Sequence, residues 1–338
     1  MGNGSRGETT MADIAADLGV SRQLVSLVLR DQPGASPETR ARVTEAAKRL
    51  GYSPHAGARL LRQSTSRQLG VVFAPRHAPG QEIVQAIYAH ASERGYQVML
   101  SAITDARSGM QAVEELLGYR CAALVVIGAD LGPDELRAVS RRANVPVVAV
   151  GAGRRNRVYD VVHSAGDEGI AQAVRHLTEL GHREITYVHA SSMPPGPLRL
   201  TGFHRACDEL SIQPVVLDLP GDYTEECGAK AARLLLDGPV LPTAVMMSND
   251  HAALGLILTL ARAGVSVPED VSVTGYDDSG PARLSALDLT TVRQDPQAMG
   301  HCAIEAVLGR LSDPTKRPGE AVVDVSLVVR SSTAPPRL

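Results

Sequence analysis

The sequence has no short motif for a disulfide framework, a structural zinc site or a membrane span. Its four cysteines are dispersed through 338 residues, and no two of them form a C-x-x-C pair. This spacing supports neither disulfides nor zinc and predicts buried thiols at Cys121, Cys207, Cys227 and Cys302. No apolar run approaches the ~20 residues of a membrane-spanning helix. We therefore expect no metal, no cofactor and no membrane among the partners.

Motifs for catalysis and nucleotide binding are also missing. Gly151-Ala152-Gly153 is followed by two arginines, so it is not a G-x-G-x-x-G loop, and G-x-x-x-x-G-K-[ST], H-E-x-x-H and G-x-S-x-G do not occur. The ten histidines are scattered. Asp277 and Asp278 are adjacent, so their side chains diverge and do not form an acid/base pair. The sequence gives no support to an enzymatic function.

Charge is distributed unevenly along the chain. Residues 1–67 hold ten lysines and arginines against six acidic residues, a balance of +4, and the net charge of −3 leaves −7 for residues 68–338. A basic head on an acidic body suits phosphate contacts made by the head alone. Residues 1–8 are polar and glycine-rich, which predicts a disordered lead and not a secretory signal. We therefore expect a cytoplasmic protein.

The segment TMADIAADLGVSRQLVSLVL, residues 10–29, has the pattern of a helix-turn-helix. Apolar residues at i, i+3, i+4 and i+7 form one stripe, and Gly19 suits a left-handed turn. Ser21 is the expected N-cap of the second helix. Arg22, Gln23 and Ser26 then face outward near its start, where a recognition helix meets base edges. A three-helix packing module would show the same apolar stripes, so this pattern alone leaves both interpretations open.

A third helix and a short basic segment follow. Ser36-Pro37-Glu38 is a strong helix start, and Gly51 is the expected stop. The segments ADIAADLGVS, SPETRARV, LGY-SP and ARLLR resemble the lactose and purine repressor family (LacI/GalR). In that family the last of these is a hinge helix that folds on DNA and inserts a leucine into the minor groove, which implies Leu61, with His55 and Ala58 beside it. An ordinary amphipathic linker helix is the alternative.

The body alternates predicted strands and helices, which favours an α/β class with two doubly wound parallel-sheet lobes. The predicted strands are 69–74, 97–101, 122–128, 146–150, 184–190, 214–219, 243–248 and 270–276. The predicted helices lie near 81–94, 108–118, 133–143, 168–180, 199–210, 224–236 and 250–263. Ligands of such sheets bind at the carboxyl ends of the strands, so a cleft between the lobes is the expected ligand site.

The family resemblance extends over nearly all of this body. HLTELGHREITYV, RLTGF, PTAVMMSNDHAALG, VPEDVSVTGYDD, LTTVRQD and LVVRSSTAP match it. It implies a periplasmic-binding-protein-like fold whose lobes cross over near 162–165, 290–294 and 319–324. The expected domains are a lead (1–8), a helix-turn-helix domain (9–53), a hinge (54–67) and an effector-binding, dimerising body (68–338). Within that body, lobe 1 takes about 69–162 and 293–320, and lobe 2 takes about 163–292 and 321–338.

The resemblance also places four effector contacts in the cleft. Arg199, before Leu-Thr-Gly-Phe, matches an arginine that binds the effector, and Asn249 and Asp277 match polar contacts. A bidentate arginine with an asparagine and an aspartate suits a ligand with several hydroxyls. Tyr223 matches a position where an aromatic ring stacks on a sugar. Two alternatives stay open, because Asn249 also fits a helix N-cap and Asp277 also fits a turn former.

Some positions depart from the family pattern. Ala165-Gly166 stands where Asp-Asn is common, Gly151 replaces an acid, Ala74-Pro75 lacks a hydroxyl, and Leu287-Asp288 replaces Pro-Pro. These losses remove hydrogen-bond partners for a sugar. Three arginines at 154, 155 and 157 face either an anionic ligand or solvent. In the second helix Leu24 and Leu27 replace Thr and Arg; Leu27 contacts either a thymine methyl or the third helix.

These observations predict a bacterial DNA-binding transcriptional repressor whose operator affinity is controlled by a small molecule, a sugar or sugar derivative. It acts on the nucleoid as a homodimer on pseudo-palindromic DNA. The predicted DNA-binding residues are Thr10, Ser21, Arg22, Gln23, Ser26, Leu27, His55, Ala58 and Leu61; the predicted effector residues are Arg199, Tyr223, Asn249 and Asp277. An activator or dual regulator would have the same parts. A small-molecule binding protein without a regulatory role shares the two-lobe fold but would lack the helix-turn-helix.

Overall fold

The computed structural model describes residues 9–29, 32–52, 66–75, 80–128, 130–151, 156–189, 196–219 and 223–337. The chain forms two compact units, Met1–Ser66 and Arg67–Leu338. The hinge residues His55, Ala58 and Leu61, which the family resemblance singled out, lie outside the described residues. In the part of the chain that is described, no helix is both long and apolar enough to cross a membrane.

Three helices make up the described part of the first unit: α1 (Met11–Leu18), α2 (Arg22–Leu29) and α3 (Pro37–Arg49). The first ends because Gly19 adopts a left-handed φ of 64°, a conformation that side chains rarely allow. Ser21 then accepts a hydrogen bond from the Leu24 amide at 3.1 Å and so caps α2. The predicted turn and N-cap of the helix-turn-helix are confirmed.

The three helices pack around a small apolar core. Ile14, Val25 and Val43, one from each helix, are fully buried in it. Leu27 is half-buried and packs against the same core, and its Cδ1 would lie 3.2 Å from a Cβ placed at Gly34. Of the two roles expected for Leu27, packing is therefore the one observed in this unit.

The second unit contains two six-stranded sheets, each flanked by helices. The first sheet, the centre of lobe 1, has the order β11-β5-β4-β3-β1-β2 and is parallel throughout. Its elements are β1 (Gln68–Phe73), α4 (Gly80–Glu93), β2 (Gln97–Ala102), α5 (Gly109–Gly118), β3 (Ala123–Ile127), α6 (Pro133–Ala143), β4 (Val147–Val150), β5 (Asp160–Ser164), α11 (Pro296–Ser312) and β11 (Glu320–Val323).

The second sheet, the centre of lobe 2, has the order β12-β10-β9-β8-β6-β7, with only β12 antiparallel to its neighbour β10. Its elements are α7 (Gly166–Glu179), β6 (Ile185–His189), α8 (Gly196–Leu210), β7 (Pro214–Asp218), α9 (Glu225–Leu236), β8 (Ala244–Met247), α10 (Asp250–Arg262), β9 (Ser272–Asp277), β10 (Thr290–Arg293) and β12 (Ser326–Val328). A 3-10 turn spans Pro281–Arg283.

Burial on both faces explains why the central strands read as continuous apolar runs. Every residue of β3 and of β4 is buried, and the same holds for β6 and β8 in lobe 2. The chain passes between the lobes after β5, after β10 and after β11. Because β5 ends at Ser164 and β11 at Val323, lobe 1 extends a few residues beyond the ranges expected from the sequence. The doubly wound two-lobe fold is confirmed.

Candidate functional site

The helix α2 has polar side chains on its exposed side and packs its other side into the core of the first unit. Arg22 and Gln23 are exposed in its first turn, while Val25 and Val28 are buried on the opposite side. Thr10 caps α1 in a capping box: its Oγ1 accepts from the Asp13 amide, and the Asp13 carboxylate accepts from the Thr10 amide at 2.7 Å. The unit therefore presents a fixed helix whose first turn is free to contact another molecule.

Arg199 on α8 is the centre of a second cluster, at the carboxyl ends of the lobe 2 strands. Its side chain is 5 % exposed. Its Nη1 donates to the Ser248 carbonyl at 2.7 Å, and its guanidinium carbon lies 3.5 Å from the centre of the Tyr276 ring. A cation–π contact and a charge-assisted hydrogen bond hold this arginine in one orientation.

Asp277, the last residue of β9, faces Arg199. One of its carboxylate oxygens lies 3.7 Å from Arg199 Nη2 and accepts a 2.6 Å hydrogen bond from Gln294. A positive φ of 114° at Asp277, followed by 53° at Asp278, turns the chain sharply at the strand end. Since Gln294 follows β10 at a crossover between the lobes, this bond ties the cluster to the connecting segments.

The neighbouring acid, Asp278, is directed away from the cluster. It accepts 2.6 Å hydrogen bonds from Arg293 and Arg330. Burial acts to raise the pKa of Asp278, but these two arginines hold that pKa below its usual value. The side chains of Asp277 and Asp278 therefore point in different directions, as predicted from their adjacent positions.

Asn249 uses its whole amide group within the protein. Its Oδ1 caps α10 by accepting from the Ala252 amide at 2.9 Å, and its Nδ2 donates to the Tyr223 carbonyl at 2.9 Å. The helix-capping interpretation of Asn249 is thus realised, and the same amide joins it to the half-buried Tyr223. Arg199, Asp277, Asn249 and Tyr223 all belong to the carboxyl-end edge of lobe 2.

Three side chains at this edge were not singled out from the sequence. Tyr187 and His189 lie two residues apart on β6, hence on one face of the strand, and the aromatic ring of Tyr276 supports Arg199. Among the described residues, the Tyr187 hydroxyl, the Tyr276 hydroxyl and His189 Nδ1 are buried without a hydrogen-bond partner of good geometry. The sequence ITYVH could have indicated them, because it places Tyr187 and His189 on one face of a buried strand. Buried polar groups need hydrogen-bond partners, so such a pair is a candidate for a site.

A second acid, Asp250, anchors the loops around this edge. Its carboxylate accepts from the backbone amide and hydroxyl of Ser279, at 2.6 and 2.9 Å, and from the Thr291 hydroxyl. Across the cleft, Arg283 of lobe 2 lies 4.0 Å from Glu82 of lobe 1. Among the described residues, no group of three His, Cys, Asp or Glu side chains is placed to hold a metal ion.

Protonation of Asp277 predicts how the stability of the protein depends on pH. Burial, reinforced by the nearby Asp250 carboxylate, raises the pKa of Asp277 to about 8. The folded state then keeps a proton that the unfolded state has lost, so this group lowers stability as pH rises from about 4 to 8. We expect a slope of about 1 kcal/mol per pH unit in urea unfolding between pH 5 and 8.

Asp277→Asn should flatten that slope, because asparagine mimics the protonated acid and tolerates a positive φ. The exposed Asp208→Asn is the matched control and should leave the slope as in the parent protein. An unchanged slope in Asp277→Asn would show that Asp277 is ionised throughout this range.

Comparisons with known proteins agree with both parts of this architecture. Residues 10–55 match the family model "Bacterial regulatory proteins, lacI family", and residues 174–333 match "Periplasmic binding protein-like domain". The lactose operon repressor of Escherichia coli is 31% identical over 334 residues, covering 97% of this chain and 91% of that protein. The transcriptional repressor PurR of Haemophilus influenzae is 32% identical over 308 residues, covering 90% and 91%.

Solved structures give the same result. The lac repressor dimer bound to operator and the anti-inducer ONPF has a TM-score of 0.85 at 29% identity, covering 97% of this chain and all of that one. A LacI transcriptional regulator from a Rhodococcus species has a TM-score of 0.74 at 38% identity, covering 80% and 99%. The fold and the helix-turn-helix together define a DNA-binding transcriptional regulator.

The chain belongs to the lacI family of bacterial regulatory proteins, and the two curated relatives are transcriptional repressors and not enzymes. This result confirms the resemblance that the sequence motifs suggested.

Proposed function

We propose that this chain is a repressor that binds a pseudo-palindromic operator as a homodimer and responds to a small molecule held between its lobes. The observation that carries the proposal is the first turn of α2. Arg22 and Gln23 are exposed there, while Val25 and Val28 on the other side of the helix are buried. A helix in this arrangement fits the major groove, with its N-terminal residues at the base edges.

Contacts to DNA are assigned by the position of each side chain. Arg22 and Gln23 read bases, because arginine pairs with guanine and glutamine with adenine in bidentate geometry. Thr10 and Ser21, at the starts of α1 and α2, are placed for phosphate contacts, which helix N-termini favour. Ser26 and the partly packed Leu27 lie further along α2 and complete the contact set.

The predicted hinge residues, which lie outside the described residues, are proposed as the remaining DNA contacts. His55, Ala58 and Leu61 belong to a segment whose isolated helix would be unstable in water, since nucleation costs more than so few hydrogen bonds return. We infer that DNA and the partner chain order it, with Leu61 in the minor groove. A ligand that changes lobe closure then shifts operator affinity, and a coupling of about 1–3 kcal/mol is typical.

A dimer is supported by large apolar side chains exposed on both lobes. Tyr88 and Leu100 in lobe 1 are 43 % and 41 % exposed, and Leu258 and Leu284 in lobe 2 are 56 % and 51 % exposed. A partner chain would cover such surface. Two-fold symmetry also doubles the number of base pairs read, which one short helix needs for a specific site.

The small molecule is assigned to the cleft beside Arg199 and Asp277, with Tyr223 and Asn249 at its border. Among the solved relatives, the transcriptional regulator CelR, at 30% identity, forms a complex with cellobiose, and a lac repressor at 28% identity is bound to ONPG. By that likeness the effector is a sugar or sugar derivative. The protein has no catalytic role in this proposal and works in the bacterial cytoplasm, on the nucleoid.

Alanine variants of the first turn of α2 test the DNA assignment. Arg22→Ala or Gln23→Ala should cost about 1–3 kcal/mol on the specific operator and relax preference at one or two base pairs. Affinity for a randomised operator library, measured by sequencing of bound DNA, separates the two effects.

Arg42→Ala, an exposed arginine on α3, is the comparison variant: any loss it causes should be equal on all sequences. A uniform loss in the Arg22 and Gln23 variants as well would make them phosphate contacts and overturn the assignment.

A further inference from the structure

The first turn of α7 carries amide groups that have no acceptor among the described residues. This fourteen-residue helix begins at Gly166, directly after β5 and the crossover from lobe 1. Ala165 stands at the N-cap, and its methyl group supplies no cap hydrogen bond. Within the described residues, no group accepts from the amides of Gly166, Asp167 or Glu168. Such a helix start carries a partial positive charge and free donors.

Two buried side-chain atoms without partners lie beside this helix start. A Cβ built at Gly166 would lie 3.8 Å from Arg199 Nε and 3.7 Å from the Tyr276 hydroxyl. Both residues are buried, yet among the described residues neither of these two atoms has a hydrogen-bond partner of good geometry; the neighbours of the Tyr276 hydroxyl are Ser164 and Arg199. Arginine Nε can only donate, and the phenol can donate too. Three kinds of donor thus meet at Gly166, where a side chain would be crowded because its Cβ would lie 3.3 Å from Arg199 Cγ.

Several of the neighbouring acceptors are already engaged. Both atoms of the Asn249 amide are engaged, the Ser248 carbonyl is bonded to Arg199, and one oxygen of Asp277 is bonded to Gln294. The Tyr187 hydroxyl and His189 Nδ1 can still accept from a ligand hydroxyl, whereas the negative charge of a carboxylate is matched by the α7 amides and by Arg199 Nε. A carboxylate oxygen only accepts, so it can take hydrogen bonds from several of these donors at once.

The local charge is also positive. Burial and Asp250 raise the pKa of Asp277 to about 8 against the opposing effect of Arg199, so this acid balances the charge of Arg199 less than an ordinary aspartate would. The two acids in the first turn of α7 are paired elsewhere: Asp167 with Arg205 at 3.2 Å, and Glu168 with Arg175 at 2.8 Å.

We propose that the start of α7, Arg199 Nε and the Tyr276 hydroxyl form a subsite for a carboxylate, so that the effector is an organic acid such as a hydroxylated sugar acid. This inference rests on the proposed effector-binding function and narrows its ligand class. The carboxylate oxygens accept from the free amides and from Arg199, and the positive end of the helix stabilises their charge.

The position of this subsite also links it to lobe closure. The Ala165 amide donates to the Val323 carbonyl at 2.9 Å, so the start of α7 is joined to the end of β11, where the chain crosses between the lobes again. A carboxylate bound here adds bonds at the segment on which the lobes turn. Binding at one end of α7 therefore biases the angle between lobes.

Acetate is the minimal probe of the subsite. We would measure the thermal unfolding of the full-length protein at pH 7 in sodium acetate and in sodium chloride of equal ionic strength. We expect acetate to raise the unfolding midpoint in a saturable way, with a dissociation constant on the order of 1–10 mM. Indistinguishable midpoints in the two salts would overturn the proposal.

Two substitutions locate the effect. Gly166→Ala places a methyl group against Arg199 and Tyr276 and should weaken acetate about tenfold or more, since it displaces charge-assisted bonds. Tyr276→Phe removes one donor and should weaken acetate about fivefold. Gly118→Ala, at the last residue of α5 with no atom within 4 Å, is the matched control and should keep the full response. An undiminished response in both Gly166→Ala and Tyr276→Phe would place the anion elsewhere.

Matched larger probes define the class. D-gluconate and sorbitol share a carbon chain and differ in the carboxylate, so gluconate should stabilise the protein at lower concentration than sorbitol does. Stronger binding of sorbitol than of gluconate, or of inorganic phosphate than of acetate, would reject the carboxylate assignment. These measurements contain no DNA, so a failure here is distinct from a failure of operator binding in the proposed function.

Discussion

Arg199→Ala is expected to remove the effector response and to destabilise the second unit by about 3 kcal/mol. The substitution breaks the 2.7 Å hydrogen bond to the Ser248 carbonyl and leaves Asp277 without its cationic neighbour. Removing one partner of a buried pair costs about 3–5 kcal/mol, and we take the lower end because Asp277 can stay protonated. Urea unfolding measures the stability, and operator anisotropy measures the response to ligands that release or tighten wild-type binding.

Arg205→Ala is the matched control on the same helix. Arg205 is 45 % exposed and pairs with Asp167 and Glu168 at the surface, so its loss should change stability by less than about 1 kcal/mol. DNA affinity in the absence of ligand should stay near wild type in both variants, because the DNA-binding unit has its own core. A full dose response in Arg199→Ala would move the effector away from this cluster.

Local patterns were sufficient to predict most helices and strands, because each element carries its own signals. The apolar runs predicted as buried strands at 122–128 and 146–150 form β3 and β4, and Ser21 and Ser36 marked two helix starts. Elements at the crossovers were harder to predict. β5 and β11 are far apart in sequence but pair side by side, with Val161 opposite Glu320. Neither segment alone predicts this register.

The site was predicted in part, for the same physical reason. Arg199 and Asp277 could be placed by motif, but the partners that decide their chemistry come from distant segments: Ser248, Gln294 and Tyr276. The free amides of α7 follow from a missing N-cap at Ala165, a departure visible in the sequence. That they lie beside the unpartnered Arg199 Nε required the three-dimensional structure.

The close packing of α9 on α10 depends on two glycines. A Cβ at Gly228 of α9 would lie 1.8 Å from the Ala252 carbonyl oxygen, and a Cβ at Gly255 of α10 would lie 1.8 Å from the Glu225 carbonyl oxygen. Both obstacles are backbone atoms, which cannot rotate away as a side chain can. The backbones of the two helices are therefore in direct contact at these points.

Gly255→Ala is accordingly expected to cost about 4 kcal/mol or more, in spite of the ~1 kcal/mol that alanine gains over glycine as a helix former. The helices must separate, and the apolar cluster that holds Ala231 and Leu256 loses its packing. The Asn249–Tyr223 bond spans the same two helix starts, so ligand binding in the cleft should weaken together with stability.

Gly118→Ala is the control, because its Cβ would enter open space and only the gain in helix propensity remains. The two unfolding midpoints in urea should therefore move in opposite directions, down for Gly255→Ala and slightly up for Gly118→Ala. If Gly255→Ala unfolds at the parent midpoint, the two helices are not held at this distance and the geometry at Asn249 needs another cause. If Gly255→Ala shows no unfolding transition in urea but still binds the operator, the DNA-binding unit folds independently of lobe 2.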